Sequence, residues 1–379
     1  MKLLNELKKL VIARVDLSDM RIRRIRRQHE SRIKIGACDY EPLYPTRIGI
    51  VTDYGGLFRY YMAACEELKV AYNLVDLMSA DWLDSFRRSN CDIHVVWPPV
   101  MWRYWKDQFE ERLQILREHE HAAVYPDPPL LWMFESKKRM AYFLSARRYP
   151  HPETRVFYQK DEACDYVRQA ALPLVFKMDM GSGARGVRIV RTRREAFGII
   201  RRAFGKGVST WSLGPYERER GWVVFQEYVP VASEWRAVRI GDSYFAYRKE
   251  RMGDYHSGTK KKIWGQPPLA LLEFVRAMTE REHFPSVSLD IFETTDGQYL
   301  INEIQVYFGT SAIHQMMIDG KPCRYRYDCS ASEWKLEYGD FCRNACCNLR
   351  VMDVLNRVQL SSTVLSDAPL LGRGDGCGA

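Results

Sequence analysis

"DIFETTDGQYLINEIQ", residues 290–305, decides how this chain is read. Asp290, Ile291 and Phe292 lead into Thr294-Thr295-Asp296-Gly297, and Tyr299, Leu300 and Ile301 lead out. Asp-Gly between β-rich runs is a strong hairpin signal, because the turn needs residues that tolerate positive φ. Polar residues gather at the open end. Asp290 starts one strand, while Glu303 and Gln305 finish the other, two apart and so on one face. Mg²⁺ is a hard ion that takes oxygen ligands and is commonly held by one or two carboxylates together with phosphates. Two carboxylates and an amide oxygen suit it. A solvated hairpin with polar ends accounts for the same residues, and the hairpin alone leaves both readings open.

The composition bounds the class. A chain of 379 residues has room for two or three domains around sizeable cores. Its 46% hydrophobic and 28% charged content is that of a soluble globular protein. No apolar run is long enough for a transmembrane helix. The N-terminus is interrupted by Glu6, Lys8 and Lys9 and lacks a leader's apolar centre, so a cytoplasmic protein is expected. Ten cysteines are scattered along the chain, against a disulfide scaffold. Cys342, Cys346 and Cys347, with Cys323 and Cys329 upstream, lack paired C-x-x-C spacing and read as reduced thiols rather than a zinc site. The net charge of +9 is concentrated in "RIRRIRRQHESRIK" (21–34). That run is either a solvated helical face or a surface for an acidic partner. No zinc-finger or RNP pattern supports nucleic acid.

In order along the chain, residues 1–34 read as amphipathic helix. "TRIGIVTDYGGLFRYYMAACEELKVAYNLVDL" (46–77) reads strand, glycine turn, helix, strand, which is one βαβ unit. "CDIHVVWPP" (91–99) is a buried strand, and helices follow at 105–121 and 135–148, the second ended by Pro150 and Pro152. Beyond about 150 the pattern becomes antiparallel, with a helix at 267–283. The expected divisions are a basic helical extension at 1–44, a βαβ domain at 45–133, a glycine-loop subdomain at 134–230, a C-terminal subdomain at 231–359 and a disordered tail at 360–379.

Two glycine motifs compete. "GDYHSGTK" (253–260) has the Lys and Thr of a P-loop transposed, and a basic run follows it instead of a helix. "GSGARG" (181–186) matches G-x-G-x-x-G, yet "VRIV" follows, a strand where a dinucleotide site needs a helix. The context is a hairpin loop. A plain turn needs fewer glycines than three, and several bare backbone N–H groups suit phosphate oxygens. Lys177 ends the apolar strand "PLVFK" just before it, where a lone ammonium is costly without an anion. The H-R-D and D-F-G tripeptides of protein kinases do not occur.

Taken together, residues 46–312 resemble the ATP-grasp superfamily. The resemblance implies an α+β fold with a βαβ N-terminal domain, a glycine-loop lid and a C-terminal domain, ATP being held between antiparallel sheets. In "ESKKRM" it implies a phosphate-contacting lysine, Lys137 rather than Lys138 by its distance from "YPHPET". Lys177 matches the second such lysine, and "GSGARGV", with Ser182 and Gly183, matches the phosphate loop. "FQEYVP" matches the adenine hinge, with Glu227, Tyr228 and Val229, and Glu234 matches the ribose-binding acid. Arg236 and Arg248 resemble arginines facing phosphate and acyl substrate. Asp290, Glu303 and Gln305 match the magnesium ligands. The family's usual Glu-x-Asn is here Glu303-Ile304-Gln305, so either the metal geometry differs or Asn302 shares the role.

The implied activity is ATP- and Mg²⁺-dependent amide formation from a carboxylic acid and an amine through an acylphosphate. The partners are then a small-molecule, carbohydrate or peptide carboxylate and an amine; a homodimer is compatible with this. A kinase of the same fold, with His256 as base, and a non-catalytic nucleotide-binding protein are the alternatives.

Overall fold

The computed structural model describes residues 18–33, 40–98, 103–181, 186–209, 218–250, 261–306, 308–310 and 313–366. Alternation of strand and helix from residue 47 builds a parallel sheet. Its strands are β1 (Arg47–Val51), β2 (Ala71–Val75), β3 (Ile93–Val95) and β4 (Val124–Tyr125), in the order β2-β1-β3-β4. Parallel neighbours need long crossovers. Helices α2 (Arg59–Leu68), α3 (Trp82–Ser89) and α4 (Arg103–Glu118) supply them, and α1 (Ser18–Arg32) precedes the sheet. The basic run of 21–34 thus lies largely on α1, where Arg23, Arg24, Arg26 and Arg27 are exposed. Helices α5 (Pro128–Met133) and α6 (Lys137–Ala146) follow. α6 starts where it does because Ser136, in extended conformation, accepts a hydrogen bond from the Arg139 amide.

The second sheet is antiparallel, in the order β5-β8-β6-β7. It comprises β5 (Thr154–Phe157), β6 (Leu174–Lys177), β7 (Val187–Val190) and β8 (Val223–Glu227). Its helices, α7 (Lys160–Gln169) and α8 (Arg193–Ala203), bury Val167, Ile199 and Ile200 against Phe157, Leu174 and Phe225, a core of its own. β6 and β7 form the hairpin expected around the glycine loop.

The third sheet contains β9 (Val231–Ile240), β10 (Ser243–Lys249), β11 (Lys262–Ile263), β12 (Ser286–Thr294), β13 (Tyr299–Gln305), β14 (Met317–Ile318), β15 (Lys321–Asp328) and β16 (Glu333–Tyr338). Its main order is β13-β12-β9-β10-β15-β14, antiparallel throughout. The hairpin that opened the sequence reading is β12-β13, with Gly297 at φ +83° in the turn. Helix α9 (Leu269–Arg281) covers one face, where Arg239 of β9 donates to the Thr279 hydroxyl at 2.9 Å. The neighbouring residues Glu234, Arg236 and Val238 therefore point to the other face.

Helix α10 (Cys347–Ser366) returns to the first sheet. Its Val351, Val354 and Leu355 are buried with Ile48, Ile50, Tyr61 and Val95. It also runs through 360–366, which the sequence reading gave to a disordered tail; residues 367–379 lie outside the described residues. The last helix thus completes the core of the first unit. Leu355→Ala is expected to destabilise the protein by about 2–4 kcal/mol, as a buried leucine deletion does. Denaturant unfolding measures this, and a loss under about 1 kcal/mol would show that α10 packs only loosely there.

Candidate active site

One face of the third sheet is divided along its strands. Val238 and Phe245 are its apolar half. Glu234 and Arg236 of β9, Lys249 of β10, Asp290 of β12 and Glu303 of β13 form its charged half. Register explains the grouping, because Arg236 lies opposite Asp290, Asp290 opposite Glu303, and Glu234 opposite Lys249. The sheet edge is completed by Gln305, opposite Ser288.

The carboxylates are held by cations. Arg236 donates twice to Asp290, both at 2.8 Å, and Lys249 Nζ lies 2.5 Å from Asp290 and 2.6 Å from Glu234. Asp290 is 1% exposed and Glu234 2%. Burial alone would raise the pKa of Asp290, but Arg236 and Lys249 outweigh it and hold the carboxyl well below its usual range. Their own pKa values rise in return, burial being outweighed by the same carboxylate.

Two lysines approach from outside this sheet. Lys137, first residue of α6, sets Nζ 2.5 Å from Glu303 Oε1 and 3.2 Å from the Gly181 carbonyl. Burial disfavours its charge, yet the Glu303 and Glu135 carboxylates raise its pKa above the ordinary lysine value. Lys177 ends β6 and donates to Asn302 Oδ1 at 2.8 Å. Burial, joined by the Lys137 charge, pulls its pKa down to about 8. Lys138 points elsewhere, 3.8 Å above the Trp222 ring.

Asn302 reaches this cluster through a β-bulge. The register slips between Asp290 and Ile291, leaving Asn302 without a residue opposite it. Simple alternation puts residue 302 on the face away from 303; the bulge lets both side chains meet lysines. Gln305 donates its amide N–H to Glu303 at 2.5 Å, leaving its carbonyl oxygen for other partners.

Arg248 is not brought to the cluster. It lies opposite Trp235 on the other face of the strand pair, exposed, 5.8 Å from that indole. The β10 cation on the acidic face is Lys249. The signal was legible, since a two-residue turn at Gly241-Asp242 pairs Ile240 with Ser243 and hence Glu234 with Lys249. Glu227, Tyr228 and Val229 lie at the crossing from β8 to β9, between the second and third sheets. Glu227 is exposed there and accepts the Glu153 amide at 2.7 Å. Ser182 and Gly183 lie outside the described residues, as does His256.

Comparison with solved structures identifies the architecture. The chain is similar to D-cycloserine synthetase DcsG, with a TM-score of 0.51 at 16% identity over 82% of this chain and 99% of that one. It is similar to N5-carboxyaminoimidazole synthetase from Staphylococcus aureus complexed with ADP, with a TM-score of 0.50 at 13% identity over 77% and 85% of the two chains. An ADP complex of the purK N5-carboxyaminoimidazole ribonucleotide synthetase gives 0.50 at 14% over 71% and 72%. The chain has the ATP-grasp fold. No protein-family model matches the sequence, and no curated protein matches it. Among the described residues no helix is long and apolar enough to cross a membrane.

The donor set fits a hard cation. Asp290, Glu303 and Gln305 present oxygens on neighbouring strands, and Mg²⁺ needs only one or two carboxylates because it keeps waters and phosphate oxygens. Among the described residues no three His, Cys, Asp or Glu side chains group to hold a metal by themselves.

The lowered pKa of Lys177 has a measurable sign. Between about 8 and 10.5 the unfolded chain binds a proton at this lysine that the folded chain does not. Stability therefore rises with pH in that window. Ligand-free protein should gain stability relative to Lys177→Met as pH increases across it, measured by denaturant unfolding. Parallel curves would mean that Lys177 titrates like an exposed lysine.

Proposed function

We propose that the chain is an ATP- and Mg²⁺-dependent ligase that joins a carboxylic acid to an amine through an acylphosphate, with ADP and phosphate as products. The observation that carries this reading is the meeting of Lys137 and Lys177, from α6 and the second sheet, with the acids of the third sheet. Lysines for phosphates and oxygen ligands for a cation thus converge on one charged cluster. The ADP complexes among the similar structures support nucleotide binding there.

In this reading Lys137 and Lys177 pair with phosphate oxygens, and the exposed backbone beside β8 takes the adenine. Glu234 accepts from the ribose hydroxyls. Magnesium, held by Asp290, Glu303 and Gln305, supplies charge neutralisation when bound. Arg236 and Lys249 offset charge on the transferred phosphoryl and the acyl oxygen. The acid substrate is already anionic at neutral pH and needs no protein base. The amine then displaces phosphate from the acylphosphate. Positioning and charge do the work, in keeping with a cluster of acids, cations and amides. The acid remains a small-molecule, carbohydrate or peptide carboxylate.

Trapping with hydroxylamine tests the chemistry. With a panel of uronic acids, amino acids and peptides, an acylphosphate yields a hydroxamate with release of ADP. A stable phosphorylated product formed without amine, and lost in His256→Ala, would indicate a kinase instead. Ligand roles are tested separately. Asp290→Asn should lower kcat by roughly 100-fold or more while changing ATP affinity less, because negative charge spreads in the transition state. Gln305→Asn, which keeps the amide oxygen, should stay within about threefold of the parent, a change under 1 kcal/mol. Equal damage from both substitutions would overturn this assignment of the metal ligands.

A further inference from the structure

Asp179 lies two residues after Lys177 and two before Gly181, between the buried Met178 and Met180. It is itself 1% exposed, and its polar atoms are all engaged. Oδ1 accepts the Ser136 hydroxyl at 2.7 Å and the Lys138 amide at 3.0 Å. Oδ2 accepts Arg103 Nη2 at 2.7 Å, with Lys138 Nζ at 3.9 Å. Its carbonyl accepts the Lys137 amide at 3.1 Å. Its own amide and that of Met180 donate to the two oxygens of Glu219, at 2.8 and 2.9 Å.

These contacts have one geometric meaning. The first N–H groups of a helix have no partner within it. In α6 the Lys137 and Lys138 amides are both taken by Asp179, and the Arg139 amide by Ser136, whose hydroxyl Asp179 orients. A carboxylate there also suits the helix dipole. The helix start that carries Lys137 is therefore fastened to the strand exit that carries Lys177 and opens the glycine loop. Arg103, first residue of α4, extends the fastening to the first unit of the fold. Glu135, just before Ser136, accepts the Gly181 amide at 3.2 Å and adds a second stitch.

We infer that Asp179 is a positioning residue that sets Lys137 against the entrance of the glycine loop, with Arg103 as its counter-charge. The effect on ATP rests on the function proposed above; the effect on α6 does not. Removing the Asp179 carboxylate frees the Lys138 amide and the Ser136 hydroxyl and leaves Arg103 without this partner, while the Lys137 amide keeps the backbone carbonyl of residue 179. Loss of hydrogen bonds to a buried charge typically corresponds to about ten- to a hundredfold in an equilibrium constant.

The experiment uses the full chain with Asp179→Ala, Asp179→Asn and Arg103→Met. Hydrogen exchange by mass spectrometry follows the peptide spanning 135–142 without ligand, and calorimetry measures the Kd for Mg-ATP. In Asp179→Ala, the 135–142 peptide should exchange at least about tenfold faster while the β12-β13 peptide keeps its protection, and Kd should rise by about ten- to a hundredfold. Asp179→Asn, which keeps an acceptor oxygen but not the charge, should fall between Ala and the parent, and Arg103→Met should resemble it. Parental exchange at 135–142 with parental Kd in Asp179→Ala overturns the inference. If Asp179→Ala does not fold, Asp179→Asn decides in the same way. If the parent chain binds no ATP, the proposed function fails, and exchange at 135–142 alone decides the role of Asp179.

Discussion

A carboxylate that is 1% exposed persists as a charge only where cations surround it, and Asp290 has two. The bidentate Arg236 contact and the Lys249 contact come from the two strands beyond β12, so the sheet must be in register for the charge to survive burial. The rest of the site follows. Glu303 lies opposite Asp290 and draws Lys137 from α6, and Asn302, displaced by the bulge, draws Lys177 from the second sheet. The three parts of the fold meet at this one patch of charge.

The sequence made the β12-β13 hairpin legible because Asp296-Gly297 names its own turn and because residues 303 and 305 obey a two-residue period. The lysine at the end of "PLVFK" was legible as well, since an ammonium in an apolar strand asks for a reason. Arg248 and Lys249 are adjacent cations, and only the second faces the acids, because one residue along a strand reverses the face. The role of Asn302 is different in kind. A bulge suspends the period on which the reading relied, and no residue type announces it. Asp179, Glu219 and Arg103 carry no local sequence signal. Each is an ordinary charged residue locally, and its importance arises from contacts across 40 to 76 positions of chain.

Lys137 and Lys177 illustrate how similar residues acquire different chemistry. Both are buried, yet Lys137 rests on the Glu303 carboxylate and keeps its proton, while Lys177 has a neutral amide as its hydrogen-bond partner and a cation nearby. One is stabilised as an ion already; the other carries a desolvation cost that the Glu303, Glu234 and Asp290 carboxylates only partly offset and that a closer anion would relieve. Their unequal surroundings give the cluster one settled charge and one that is sensitive to a nearby anion.

The return of α10 to the first sheet has a consequence for how the chain is made. During synthesis the second sheet, with strands and helices from 154 to 227, has its apolar partners in hand as soon as that span emerges. The first sheet emerges earlier, but part of its core, Val351, Val354 and Leu355, comes more than 200 residues later. The first unit can therefore complete its core only after the second sheet has emerged. The first unit waits with apolar surface uncovered, and a ribosome pausing late in the message would prolong its exposure to chaperones and to other nascent chains.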